Sequence, residues 1–167
     1  MTLPIRTDRL VLRPFGDGDE RDLARAFADP DVIWWDQPFT PEKALAWVSR
    51  ARDEYRRSGL GLHAVVLRAG DRLIGDCGLV PRVIRGEDLV EIGWHLERPA
   101  WGRGYATEAA RAVAAHAAGL GLRRLCALIV PGNTRSRRVA EKLGMTVDGA
   151  VIHAGLPHDL WMLDLAA

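Results

Sequence analysis

Three groups of residues can do chemistry by their type and spacing. The run Trp101-Gly102-Arg103-Gly104-Tyr105-Ala106-Thr107-Glu108-Ala109-Ala110 joins a glycine-broken turn directly to an alanine-rich helix expected over residues 103–118. Gly102 and Gly104 let the backbone approach a ligand with no Cβ in the way, so several N–H groups can point one way, and the helix adds the positive end of its dipole. Such a junction suits an anion, and phosphate is the expected guest. Upstream, Glu91, Gly93 and His95 alternate with Val90, Ile92 and Trp94, which puts a carboxylate and an imidazole on one face of a strand. Groups so placed can take up protons near neutral pH. Downstream, Asn133 ends an apolar run and can cap the helix that follows, with Ser136 in its first turn.

Each group also has a plainer use. A Gly-x-Gly before a helix serves tight turns and close packing, Glu91 can be a charged residue on a half-exposed strand, and Ser136 can satisfy backbone at a helix start. A dinucleotide fingerprint needs a third glycine after an early first strand, and a P-loop needs Gly-Lys-Ser/Thr; the chain has neither.

The elements that must position these residues follow from periodicity. Leu10 and Leu12 alternate with Arg9, Val11 and Arg13, which predicts an opening strand over residues 7–13. Helical spacing over residues 17–28 and 41–57 predicts two helices, the second with Thr40 as N-cap and Pro41 at its first position. Strands over 62–67 and 72–80 flank a Gly70-Asp71 turn, and a third over 89–96 completes an antiparallel meander. Beyond the glycine junction come a buried strand over 125–130, a helix over 134–143 closed by Gly144, and strands over 146–154 and 160–165. A meander followed by one βαβ-like crossover predicts an α+β fold, three layers of α/β/α around a mixed, mostly antiparallel sheet of about seven strands with about four helices.

Composition narrows the partners. At 167 residues and 48% hydrophobic, the chain fits one domain over residues 1–167 with a sizeable core. Twenty-three basic residues against 22 acidic ones leave no bias toward nucleic acid, and no apolar run suggests a membrane span or a signal peptide, so a cytoplasmic protein is expected. Cys77 and Cys126 sit among apolar residues and read as buried thiols, and no metal-ligand spacing appears.

The glycine junction, together with Asn133-Thr134-Arg135-Ser136-Arg137-Arg138 running on to Leu143-Gly144-Met145, resembles the GNAT family of acetyl-CoA-dependent N-acetyltransferases. Within that family the match is to the branch containing ribosomal-protein N-terminal acetyltransferases. It extends from Thr7-Asp8-Arg9-Leu10 through Ile74-Gly75 to Gly144. The family signature is Gln/Arg-x-x-Gly-x-Gly/Ala; Trp101 departs at its first place, as the branch often does. The resemblance implies that acetyl-CoA is the donor, with its pyrophosphate on the backbone of Gly102, Arg103, Gly104, Tyr105, Ala106 and Thr107. It implies that backbone at Trp94, His95 and Leu96 holds the pantetheine arm and polarises the thioester. Asn133 would bond the pantetheine amides, and Arg138 with its neighbours would meet the CoA phosphates. Glu91 is the first candidate for general base and His95 the second. The resemblance also implies that Ser136, in the place where the branch carries a serine, hydrogen-bonds the CoA sulfur and returns a proton to it; many family members use a later tyrosine instead, but Tyr55 and Tyr105 both fall before that helix.

Family analogy places the acceptor between the first two helices, the meander and the last hairpin. That points to Trp34, Trp35 and Phe39, with Asp36, Glu87 and His153 at the rim; Trp47, at helical apolar spacing, is expected to pack in the core. An aromatic, acidic pocket of this kind suits a cationic amine or a peptide N-terminus. The implied partners are acetyl-CoA and an amine acceptor, with no nucleic acid and no membrane; a homodimer stays open. A catalytically silent acyl-CoA-binding module remains the alternative to an enzyme.

Overall fold

The computed structural model describes residues 3–165. Eight strands form one sheet in the order β1-β2-β3-β4-β5-β6-β8-β7, with strands β1 (Ile5–Arg6), β2 (Leu10–Arg13), β3 (Leu62–Leu67), β4 (Arg72–Ile84), β5 (Glu87–Leu96), β6 (Arg124–Ile129), β7 (Thr146–His153) and β8 (Leu156–Asp164). All neighbours run antiparallel except β5 and β6. The eighth strand, β1, was not expected: two residues pair back onto β2 across the turn of residues 7–9, too short a run to show alternation.

Four helices cover the two faces: α1 (Asp19–Ala26), α2 (Pro41–Ser58), α3 (Tyr105–Gly119) and α4 (Thr134–Leu143). On one face Leu10, Leu12, Val65, Ile74 and Ile92 pack against Ala109, Ala110, Val113 and Ala117 of α3 and Ala140 of α4. On the other, Ala64, Val66 and Leu73 pack against Leu23 and Phe27 of the α1 region and Ala44 and Val48 of α2. The period of two along the strands thus sorts side chains between two cores, which makes the three layers.

Helix ends follow their residues. The Thr40 hydroxyl accepts the Lys43 N–H at 3.4 Å and Gly59 closes α2 in the left-handed region at φ 74°. Asn133 Oδ1 accepts the Ser136 N–H at 3.1 Å, and Gly144 closes α4 at φ 82°. Helix α3 differs, since it starts at Gly104, φ 81°, with no side-chain cap.

Close approach explains one glycine within the sheet. A Cβ on Gly75 would lie 2.0 Å from the His95 carbonyl oxygen, so only glycine lets β4 press against the end of β5 there.

Candidate active site

Strands β5 and β6 touch through a single pairing, Glu91 with Cys126. Beyond it they part, because β5 stays laddered to β4 as far as Leu96 while β6 stays laddered to β8. The gap is a cleft of about 1020 Å³ walled by residues Glu91 to Leu96 on one side and Ala127 to Val130 on the other. Two strands that diverge expose the backbone edges that each would otherwise have given the other.

At one end of the cleft lie Trp101, Gly102, Gly104, Tyr105, Ala106 and Thr107. Gly102 and Gly104 both take positive φ, 73° and 81°, which turns the chain into α3. The first N–H groups of a helix have no acceptor within it, and with no side-chain cap they face the cleft as donors. The surroundings hold this turn rigidly. Trp101 donates its indole N–H to the Leu96 carbonyl at 2.7 Å, and the Arg135 guanidinium stacks 3.9 Å over its ring. Glu108 accepts from the Thr7 hydroxyl at 2.6 Å and from Arg9 Nε at 2.7 Å, while Arg9 also covers the Tyr105 ring at 4.4 Å. Arg103 is exposed and its side chain does not line the cleft; its carbonyl accepts from Arg9 at 2.9 Å.

Helix α4 closes the same end. Asn133, Arg135, Ser136, Arg138 and Lys142 line the cleft. Capping occupies Asn133 Oδ1 and leaves its amide N–H groups free to donate. Among the described residues none bonds the Ser136 hydroxyl, which belongs to a half-buried side chain.

Mid-cleft, Glu91 and His95 share the face turned toward α2, as alternation requires. Glu91 Oε2 accepts from Arg82 Nε at 2.6 Å. His95 Nδ1 lies 2.7 Å from Oδ1 of Asp76, a fully buried carboxylate on β4 whose Oδ2 accepts the Trp47 indole N–H at 2.7 Å. Burial works against a charged His95, but the charge and hydrogen bond of Asp76, helped by Glu91, outweigh it and raise its pKa. Trp94 points to the other face, against the α3 core, and Leu96 is buried. Both cysteines are buried thiols. Burial pushes Cys126 up to about 12 and Cys77 higher still, which keeps both protonated.

The far end is aromatic. Trp34 and Trp35 line the cleft while 43% and 47% exposed, and Trp47 joins them. Arg50 and Glu54 of α2, and His153 and His158 of the last hairpin, complete that wall. Phe39 instead lies buried behind it, its ring 5.3 Å from Phe27 and 5.9 Å from Trp47. Asp36 turns aside to Lys43 at 2.7 Å, and neither Asp36 nor Glu87 lines the cleft. Phe39 sits one residue before the N-cap of α2, where the chain must return to the core.

Sequence reasoning missed Asp76 and Arg82. The signal for Asp76 was a charge inside Leu73-Ile74-Gly75-Asp76-Cys77-Gly78-Leu79, since a carboxylate in an apolar strand must find partners. Arg82 had no comparable signal. Its role depends on the β4–β5 register that sets Val80 opposite Glu91.

The model of the acetyltransferase (GNAT) domain family matches residues 9–146. Two Bacillus subtilis (strain 168) proteins are similar over most of the chain. The uncharacterized protein YkkB is 37% identical over 144 residues, covering 83% of each chain, and the uncharacterized N-acetyltransferase YnaD is 32% identical over 148, covering 87% and 84%. The solved acetyltransferase from Agrobacterium tumefaciens str. C58 superposes with a TM-score of 0.81 at 27% identity, covering 98% and 95%. The ribosomal-protein-S5-alanine acetyltransferase from Vibrio fischeri shares the fold at a TM-score of 0.78 and 17% identity, covering 98% and 97%. A diverging pair of parallel strands, an uncapped glycine turn at its mouth and a family match over most of the length agree: the chain belongs to the GNAT acetyltransferases.

Proposed function

We propose that the protein transfers the acetyl group of acetyl-CoA directly to a primary amine, with donor and acceptor bound together. The observation that carries this is the continuity of the cleft: uncapped helix N–H groups, Asn133 and Ser136, the Glu91–His95 face and the tryptophan wall all line one space. That space fits CoA in kind. Positive-φ glycines and free donors suit a pyrophosphate, Arg135, Arg138 and Lys142 supply cations, and a gap between two strand edges suits an extended amide-bearing arm. When bound, acetyl-CoA supplies an activated acyl thioester.

The chain supplies the rest. Backbone at Trp94 to Leu96 orients the thioester, with Leu96 itself held by the Trp101 indole. Glu91 and His95, on the β5 face between the two ends of the cleft, are the candidate bases, and Ser136 offers a hydroxyl to return a proton to sulfur. An acyl-cysteine route is disfavoured because both thiols are buried and strongly protonated. The acceptor is an amine, either a protein N-terminus or a small molecule, admitted between Trp34, Trp35 and the last hairpin.

Release of free CoA thiol, measured against ribosomal N-terminal peptides, polyamines and aminoglycosides, tests this reading. Turnover with at least one class is expected. Tight acetyl-CoA binding without turnover on any amine would replace the enzyme with a silent acyl-CoA-binding module.

A further inference from the structure

Among the polar groups of the cleft, His95 is held from behind. Its Nδ1 meets Asp76 Oδ1 at 2.7 Å, and Asp76 is in turn held at Oδ2 by the Trp47 indole N–H at 2.7 Å. The two residues face each other directly across the β4–β5 ladder. An ionised carboxylate only accepts hydrogen bonds, so the proton of this contact sits on Nδ1, and the lone pair of the neutral ring is confined to Nε2. Nε2 has no hydrogen-bond partner among the described residues. It is also absent from the buried atoms that lack one, so it opens on the cleft that His95 lines. Rings of Phe27, Trp35 and Trp47, with centroids 6.2, 5.6 and 5.5 Å from the imidazole, prevent it from tipping. Glu91, the other candidate base on this face, has its carboxylate engaged by Arg82.

We propose that Asp76 is a positioning residue for acetyl transfer: it fixes His95 as the Nδ1–H tautomer with Nε2 turned to the amine acceptor, and Trp47 fixes Asp76. The inference rests on the reading of the cleft as an N-acetyltransferase site. The acceptor arrives as an ammonium; one of its N–H bonds breaks, the electron pair stays on nitrogen, and the proton forms Nε2–H. Asp76 balances the resulting imidazolium. The amine nitrogen then forms the C–N bond to the acetyl carbon as the C–S bond breaks with its pair on sulfur, and a second proton passes from nitrogen to sulfur. His95 returns its proton to solvent. One thioester and one ammonium thus give one N-acetyl amide, one thiol and one proton.

The charged groups around His95 are Asp76 from β4 and Glu91 with Arg82 along β5 and β4. The residue that ends α1 and the loop before α2 present the rings of Phe27 and Trp35, and α2 adds Trp47 together with Arg50 and Glu54 to the same cleft.

The test compares wild type, His95→Ala, Asp76→Asn, Trp47→Phe and Glu91→Gln by pH profiles of kcat and kcat/KM, together with 15N spectra of the imidazole in the protein alone. Wild type is expected to show an Nδ1–H ring and a rate that falls on the acid side as His95 protonates. His95→Ala should lose roughly 10²–10⁴-fold in kcat, the usual share of a general base. Asp76→Asn should lose at least roughly tenfold while acetyl-CoA KM holds, and its acid limb should move to lower pH because the charge that favours the imidazolium is gone. Trp47→Phe should lose several-fold in kcat.

An unmoved acid limb in Asp76→Asn, or a limb that only Glu91→Gln abolishes, would overturn the proposal while leaving acetyl transfer intact. If Asp76→Asn does not fold, the wild-type spectrum decides, and an Nε2–H ring overturns the proposal. Absence of wild-type turnover on any amine overturns the enzyme reading and this inference with it.

Discussion

The two ends of the cleft are built from different materials. The end beneath α3 and α4 presents backbone, with glycine φ angles, helix N–H groups and a strand edge beside the polar side chains of α4; Trp101 ties the turn to Leu96 and Arg9 with Glu108 brace it from outside the cleft. The end beneath α2 presents side chains, and two of its tryptophans are nearly half exposed on a short 3₁₀ turn at Trp34–Asp36. A ligand common to a whole family can be held by groups every residue has, so that wall depends on backbone shape, set by the positive-φ glycines, more than on side-chain identity. An acceptor that differs between relatives must be read by residues free to change. In our reading the first wall carries the donor and the second carries specificity.

The sharpest way to break this contrast is to disturb backbone where no ligand reaches. Gly75→Ala places a Cβ 2.0 Å from the His95 carbonyl, and the atoms in its way are backbone, which cannot swing aside. We expect a loss of about 3 kcal/mol or more of stability by overpacking, seen in thermal unfolding, and near-complete loss of acetyl transfer. Retained activity would mean that the end of β5 is more adaptable than a backbone-built wall allows.

Acid is expected to act on the frame that both ends share. His63 on β3 is buried edge-on against Tyr55 of α2, 5.4 Å between rings, and burial, assisted by the charge of His116 on α3, lowers its pKa from 6.5 to about 4. The folded state therefore binds fewer protons than the unfolded chain across this window. Stability is full above pH 6.5, and about 3 kcal/mol is lost as pH falls to 4, at 1.36 kcal/mol per unit. Tryptophan fluorescence and donor binding should fail in one transition; two separate transitions would show that the walls stand on independent supports.

Between the walls, Gly104→Ala is the cleaner discriminator. Its φ of 81° costs an alanine about 1–2 kcal/mol, and the new Cβ would sit 3.4 Å from Arg9 Nη2. Because the strain falls where α3 begins, acetyl-CoA KM should rise about tenfold while amine KM stays within about twofold. An equal rise in both would erase the division of labour.

Legibility in the sequence follows the same division. The helix over 134–143 was readable to the residue, because Asn133 and Gly144 punctuate it and both do their work locally. The α3 turn was readable because its glycines set φ within the same few residues. Strand β1 was not, since two residues cannot display a period, and β4 and β8 run longer than their apolar cores suggested because ladder pairing, not hydrophobicity, carries them outward. Asp76, Arg82 and the burial of Phe39 were hidden for a further reason. Each depends on a partner 9 to 29 residues away in the chain or on how a loop turns back to the core, and no local pattern encodes that. The aromatic residues Trp34 and Trp35 were therefore visible in the sequence, while the withdrawal of Phe39 behind them came only from packing.

The mildest change should fall on the acceptor alone. Trp35 is 47% exposed, yet its ring lies 5.6 Å from His95 and edge-on to Trp34 at 5.7 Å, so it lines the cleft while still meeting solvent. Truncating it to alanine removes aromatic area from the acceptor and leaves no buried polar group unpaired, so the loss should be about 1 kcal/mol, the usual worth of one aromatic contact. Amine KM should rise about fivefold, with acetyl-CoA KM and thermal stability nearly unchanged. Isothermal titration with acetyl-CoA beside steady-state kinetics on the amine separates the two effects. Weaker acetyl-CoA binding in Trp35→Ala would place that tryptophan on the donor's side of the cleft, and the wall that reads the acceptor would then have to be sought among Arg50, Glu54 and the His153–His158 hairpin.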